Sequence, residues 1–321
     1  MVLRLLGSQV SRLRQSLEAL SAWLTRFEPL EVVESSTIPK QPMTPEALEP
    51  PMERKDEIEA FLRAIDYPDE GNRRYVEIHM ERFLRTLTIV PPPSKTGRVL
   101  ELGAYMQMTP VLGCVLGYPE VRGAYFGKLG KTDGKTVSAG GHEIFRCLVD
   151  LFDAEKDTYP YPGEHFDTVL ACEIFEHFLH DPMHMLLECR RVLCEGGTLV
   201  LTTPNAVSYT AAARVFEMSG NPQLYSKYAD PRGEYVDTEF GHMREYTPQE
   251  LQEALSAAGF EVITLFTRVA PGYHAHLWVR DFLQRVNAPT MLRGEQMFVL
   301  AKKNGASAIQ RYPPFLYDGV G

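Results

Sequence analysis

Arg98-Val99-Leu100-Glu101-Leu102-Gly103 and Phe166-Asp167-Thr168-Val169-Leu170-Ala171-Cys172 decide the fold of this chain. Both are short, nearly continuous apolar runs, the pattern of strands buried on both faces of a parallel sheet. Working outward, Thr109-Pro110 reads as an N-cap followed by proline at the first helical position. Val121–Phe126 and Ile144–Val149 read as further strands. Asp181-Pro182 opens a helix running to about Cys194, where Gly196-Gly197 is expected to stop it. Thr198–Thr202 is the next strand. Thr247-Pro248-Gln249-Glu250 is a capping box for a helix up to Ala258, closed by Gly259. Glu261–Thr267 and Gln296–Ala301 complete seven strands. Strand–helix alternation of this kind predicts an α/β fold, a doubly wound, mostly parallel seven-stranded sheet with helices on both faces.

The length fits one large domain with additions, or two domains. The 321 residues are 44% apolar and 23% charged, enough to bury a substantial core. With 33 Lys+Arg against 42 Asp+Glu the net charge is −9, which argues against a partner of bulk nucleic acid. Mean hydropathy is −0.20 and no stretch is long and apolar enough to span a bilayer. The five cysteines, Cys114, Cys147, Cys172, Cys189 and Cys194, are odd in number and form no CxxC pair. This excludes a zinc ribbon, argues against a secreted disulfide framework and predicts a cytoplasmic protein.

The first segment has its own period. Leu3, Leu6, Val10, Leu13, Leu17, Leu20, Leu24 and Phe27 are spaced as a heptad seam, so residues 1–30 are expected to form an amphipathic helix. Self-association into a homo-oligomer, docking on the chain's own body and a membrane-surface role all remain open for it. Arg4, Arg12, Arg14 and Arg26 against Glu18 and Glu28 give this helix +2, leaving −11 elsewhere. Residues 31–55 are rich in proline and read as a linker. Residues 56–97 form a helical extension, with Val76, Met80, Phe83, Leu84 and Leu87 on one face of its second helix. Residues 98–303 are the expected catalytic domain and 304–321 an aromatic tail that should pack back.

In open α/β sheets a ligand sits beyond the carboxyl ends of the strands, so chemistry is sought there. Glu101-Leu102-Gly103-Ala104 ends the first strand; a carboxylate there can receive an ammonium group, and glycine lets the backbone approach a ligand. Downstream, Phe152-Asp153-Ala154-Glu155, Glu173-Ile174-Phe175-Glu176-His177, Arg190-Arg191-Val192-Leu193 and Gly241-His242-Met243-Arg244-Glu245-Tyr246-Thr247-Pro248 follow in order. In these residues the chain resembles class I S-adenosylmethionine-dependent methyltransferases over roughly residues 75–303. The resemblance implies a Rossmann-like fold, S-adenosyl-L-methionine as cofactor and a transferase. It places the methionine ammonium on Glu101, backbone approach at Gly103 and Ala104, the adenine amino group on Asp153 with Ala154 nearby, and Cys172 and Glu173 at the transfer site. Two features depart from that pattern. Tyr105 and Gln107 stand at later glycine positions, and Tyr125, beside Phe126, replaces the acid that grips the ribose.

Glu173, Glu176 and His177 are spaced so that a helical turn would present them together. The element resembles the Glu-x-x-Glu-His site of metal-using small-RNA 2′-O-methyltransferases and catechol O-methyltransferases, with His242 as a further ligand. That resemblance implies Mg²⁺ or another divalent metal on Glu173, Glu176, His177 and His242 and O-methylation of a small hydroxylated acceptor, a sugar or phenolic unit. Metal-free N- or O-methylation with His242 as base, assisted by Glu173 or His177, stays open. So does a non-catalytic scaffold assembling through its N-terminal helix. An aromatic insertion at 206–245 is expected to act as a lid, and 270–294 is a second insertion. His274 and His276 read there as ordinary residues rather than ligands.

Overall fold

A computed structural model of the chain describes residues 50, 52–220, 241–269, 276–305 and 308–317. The heptad helix, the linker as far as residue 49, His274, and the insertion aromatics Tyr225, Tyr228, Tyr235 and Phe240 lie outside them.

Among the described residues two helices precede the sheet, α1 (Lys55–Ala64) and α2 (Glu70–Thr88). Asp69 caps α2 by accepting from the Asn72 amide, and the stripe Val76, Met80, Phe83, Leu84 and Leu87 is buried as its spacing requires. The strands are β1 (Arg98–Leu102), β2 (Glu120–Tyr125), β3 (Lys131–Ala139), β4 (His142–Leu151), β5 (Phe166–Cys172), β6 (Leu193–Pro204), β7 (Phe260–Arg268) and β8 (Gln296–Lys303). Between them run α3 (Thr109–Cys114), α4 (Pro182–Val192), α5 (Tyr209–Phe216), α6 (Pro248–Ala257) and α7 (Leu277–Arg285).

The sheet order is β3-β4-β2-β1-β5-β6-β8-β7, parallel except at β3 and β8. Winding proceeds outward from β1 through β2 to β4, then returns to β5 on the other side of β1. The topological switch point therefore lies between β1 and β5, where open sheets bind ligands.

Among the described residues eight strands rather than seven form the sheet. The additional one, β3, pairs antiparallel with β4 at the edge, and its first six residues are exposed. Its charged sequence, Lys131-Thr132-Asp133-Gly134-Lys135, carries no apolar alternation, as suits an edge strand protected by charge. Two local expectations also change. Helix α4 ends at Val192, and Gly196-Gly197 lies inside β6; a Cβ on Gly197 would come within 3.0 Å of the Asp167 carbonyl oxygen. Thr109 begins α3 without capping it, because its hydroxyl is used elsewhere. The capping box at Thr247 and Glu250 forms as expected, with both reciprocal bonds present.

Strand alternation sorts the interior into two layers. Leu100, Leu102, Val169, Ala171, Leu199, Leu201, Met297 and Val299 face α4 and α6. Val99, Leu170, Val200 and Phe298 face α1, α2 and α3. The same alternation carries Glu101, Cys172, Thr202 and Gln296 to the α2 face at the ligand-binding edge.

The tail does pack back, with Phe315, Leu316 and Tyr317 against the α4/α6 layer. Asp181, which caps α4 by accepting from the His184 amide, also accepts from Arg311 Nη1 (3.0 Å) and the Tyr317 hydroxyl (2.5 Å). Burial pushes the Asp181 carboxyl up, but the Arg311, Tyr317 and His184 bonds outweigh it and hold the group below its usual range. A depressed folded pKa contributes stability above the unfolded value of about 4, lost as pH falls through the folded one. Arg311→Ala should therefore destabilise the fold by about 1 kcal/mol at pH 7. That difference should shrink at pH 3 in chemical denaturation; an equal loss at both pH values would refute the linkage.

Candidate active site

A cavity of about 1820 Å³ opens on the ligand-binding edge of the sheet, between that edge, α2 and α5. Glu101, Gly103, Cys172, Glu173, Glu176, His177 and His242 all line it. The expected residues therefore meet in one space, although they come from strand and turn positions up to 141 residues apart.

Glu101 is 2% exposed. Its Oε2 accepts from the Thr109 hydroxyl (2.5 Å), which is why Thr109 does not cap α3. Burial raises the Glu101 carboxyl to about 7, with the Thr109 bond pulling the other way. Gly103 follows with φ +69°, and a Cβ there would come within 3.0 Å of Ile174. Glycine is thus required both by backbone conformation and by the close approach of the turn after β5. The Ala104 amide donates to the Ala124 carbonyl of β2 (2.9 Å) and its side chain is buried.

Tyr125, Phe126, Asp153 and Ala154 sit at the ends of β2 and β4, outside the lining of this cavity. The Tyr125 ring meets Tyr105 edge-on at 5.1 Å, and both Tyr105 and Phe126 are exposed. Asp153 Oδ1 accepts from the Glu155 amide, stabilising the turn after β4.

Glu173 has φ +56°, a left-handed conformation uncommon for a side-chain-bearing residue. Its amide donates to the Thr202 carbonyl (2.9 Å). The carboxylate accepts from Arg82 Nη1 (2.8 Å), the Thr202 hydroxyl (2.8 Å) and Gln296 Nε2 (2.5 Å). Past Ile174, a 3₁₀ turn at Phe175–His177 buries Phe175 against Tyr246 (ring centroids 4.6 Å) and leaves Glu176 and His177 lining the cavity.

Glu176 is fully buried. Its Oε2 accepts from the Thr203 hydroxyl (2.9 Å), while Oε1 has no hydrogen-bond partner among the described residues. Burial first, and then the charge of Glu173, push this carboxyl well above the usual carboxylate range. Oε1 lies 3.9 Å from His177 Nε2 and 4.0 Å from His242 Nε2. The amides of Met243 and Arg244 both donate to the Glu176 carbonyl, which fixes His242 beside the turn. Glu245 Oε1 meets His242 Nδ1 at 3.1 Å. One donor atom each from Glu176, His177 and His242 lie within 4.8 Å of one another, a spacing that could hold a metal ion. Glu173, expected as a fourth ligand, is outside this group and engaged with its three donors.

Sequence reasoning missed Arg82, Tyr75, Thr109, Thr202 and Gln296. A signal existed for some of them. Tyr75, His79, Arg82 and Thr86 form a polar stripe at helical spacing beside the buried stripe of α2, and all four line the cavity. Thr202 and Gln296 occupy strand positions at the ligand-binding edge.

Residues 127–265 match the family model of a methyltransferase domain. A protein of Mycolicibacterium smegmatis named a probable S-adenosylmethionine-dependent methyltransferase is 30% identical over 114 residues, covering 36% of each chain. The chain thus spans about a third of the length of that curated relative. Among solved structures, a SAM dependent methyltransferase from Archaeoglobus fulgidus superposes with a TM-score of 0.46 at 16% identity, over 73% of this chain and 100% of that one. An S-adenosylmethionine dependent methyltransferase from Mesorhizobium loti gives 0.42 at 14% identity, over 70% and 98%. The likeness to methyltransferases thus spans residues 127–265 of the chain by the family model, with a 114-residue likeness to a probable S-adenosylmethionine-dependent enzyme.

Proposed function

We propose that this protein transfers the methyl group of S-adenosylmethionine to a hydroxyl oxygen of a small acceptor, a sugar or phenolic unit, beside a divalent metal ion held by Glu176, His177 and His242. The observation that carries the reading is a three-donor cluster lining the same cavity as Glu101 and Gly103. The residues fit such an ion. Glu176 Oε1 is buried, lacks a hydrogen-bond partner among the described residues and faces two imidazole nitrogens at 3.9 and 4.0 Å. Metal–oxygen and metal–nitrogen bonds of about 2.0–2.2 Å bridge gaps of that size. One carboxylate and two imidazoles suit Mn²⁺, Fe²⁺ or Zn²⁺ as well as Mg²⁺. When bound, the ion supplies Lewis-acid polarisation of the acceptor oxygen.

The chain's own groups do the rest. Glu101 would receive the cofactor ammonium, and Gly103 would let the cofactor approach the backbone. Glu245, at His242 Nδ1, orients the imidazole so that Nε2 faces the site. The acceptor oxygen attacks the methyl carbon opposite sulfur. A C–O bond forms as the C–S bond breaks, the sulfur leaves as the neutral thioether of S-adenosylhomocysteine, and the hydroxyl proton passes to a base. A second reading is favoured by the His242–Glu245 contact itself: without metal, His242 Nε2 is oriented to take that proton.

Two measurements test this. Co²⁺ titration followed by visible absorption should give one bound ion per chain, weakened at least tenfold by His242→Ala. Absence of binding would remove the metal and leave His242 as base. S-adenosylhomocysteine binding should depend on Glu101. Its carboxyl, raised to about 7, must be ionised to hold the ammonium. Affinity measured by calorimetry should level off above about pH 7 and fall by about tenfold per pH unit below it. Glu101→Gln should bind weakly with no such pH dependence; a wild-type affinity that is flat from pH 5.5 to 8 would overturn the assignment.

A further inference from the structure

We propose that Arg82, on the helix preceding the sheet, is a positioning residue of the active site: through Glu173 it sets the turn that presents Glu176 and His177. The proposal deepens the reading above and rests on it for the role of that turn. Arg82 lies outside the matched segment 127–265, so nothing in the family match assigns it.

The geometry is a clamp with three jaws. Donors from α2, β6 and β8 converge on the Glu173 carboxylate from positions 91, 29 and 123 residues away in sequence. Thr202 and Gln296 are neutral, whereas Arg82 brings a full positive charge at 2.8 Å. Both partners of that pair are largely buried, with side chains 16% and 19% exposed. Removing one partner from a buried, hydrogen-bonded ion pair leaves the other charge uncompensated. Here the uncompensated group would be a carboxylate three residues before the buried carboxylate of Glu176.

Backbone conformation makes that position consequential. Glu173 holds φ +56°, and the chain leaves β5 through it to reach the 3₁₀ turn. Such a conformation persists where surrounding contacts over-determine it. Arg82 is itself held. Its Nη2 donates to the Tyr75 hydroxyl (2.7 Å), and its guanidinium carbon lies 5.7 and 5.6 Å from the ring centroids of Tyr75 and Phe83. The fork geometry reaches Tyr75 and Glu173 at once, which a lysine ammonium on its single stem does less well.

The test uses the full chain carrying Arg82→Ala or Arg82→Lys, with S-adenosylhomocysteine calorimetry, Co²⁺ absorption and amide hydrogen exchange at 174–178. Arg82→Ala should leave S-adenosylhomocysteine affinity within about threefold, because Glu101 and Gly103 are untouched. It should weaken Co²⁺ at least tenfold and speed exchange in the turn, with Arg82→Lys recovering part of both. Wild-type affinity for Co²⁺ and unchanged exchange in a folded Arg82→Ala protein would overturn the proposal. If the wild type binds S-adenosylhomocysteine but no Co²⁺, the metal reading fails while exchange at 174–178 still decides the clamp. Should Arg82→Ala not fold, Tyr75→Phe removes one anchor while keeping the charge. It should then speed exchange in the turn, and no change there would count against the proposal.

Discussion

The register of β1, β5, β6 and β8 is the constraint on which the site depends. Cys172 lies opposite Thr202, Thr202 opposite Phe298, and Pro204 opposite Gln296. Because side chains alternate along a strand, this register puts Glu101, Cys172, Thr202 and Gln296 on the α2 side while Leu102, Ala171, Leu201 and Met297 enter the opposite layer. A slip of one residue in any of these strands would exchange a polar edge residue for an apolar one. The buried layers on both faces resist such a slip, so the hydrophobic core fixes the positions of the polar groups without touching them.

Within that frame, three carboxylates share one cavity and are treated differently. Glu101 is buried with a single hydroxyl donor, and its acidity moves towards neutrality. Glu173 receives a guanidinium and two further donors. Glu176 has one donor on one oxygen and none among the described residues on the other, and burial, followed by the charge of Glu173, pushes its carboxyl well above the usual range. Burial raises the carboxyls of Glu101 and Glu176, each of which has only one hydroxyl donor among the described residues to oppose it. A buried group left short of donors can receive one from outside, which is the role proposed above for Glu101 towards an ammonium and for Glu176 towards a cation.

Much of this was legible in the sequence for a physical reason. The seven core strands announce themselves because burial on both faces demands continuous apolar runs, and the strand-end rule then leads to Glu101, Gly103, Cys172 and Glu173. The Glu-x-x-Glu-His spacing led to Glu176 and His177, although the turn is 3₁₀ and separates Glu173 from the other two. Other features had no local signature. β3 is held by main-chain pairing to β4 and not by burial, so its charged sequence is silent. Thr109 reads as a cap because capping is a local interaction, whereas its partner Glu101 is brought near only by the β1–α3 fold. Arg82 is visible only as a member of a polar stripe on α2, and its bond to Glu173 is hidden because that partner is 91 residues away.

These long-range contacts reach beyond the segment that matches the methyltransferase family. The segment matching the methyltransferase family, 127–265, contains Cys172, Glu173, Glu176, His177, Thr202 and His242, but not Glu101, Gly103, Arg82 or Gln296. Glu173 draws two of its three carboxylate donors from outside that segment. β1 is the strand about which the sheet winds in both directions, and β8 joins β6 to β7. A chain cut to the matched segment would lose the centre of the sheet along with the residue proposed to hold the cofactor ammonium. Helix α2 completes the opposite wall, where Tyr75, His79 and Arg82 line the cavity. The helical residues from Asp69, where α2 is capped, are therefore part of the cavity's construction although they precede the matched segment.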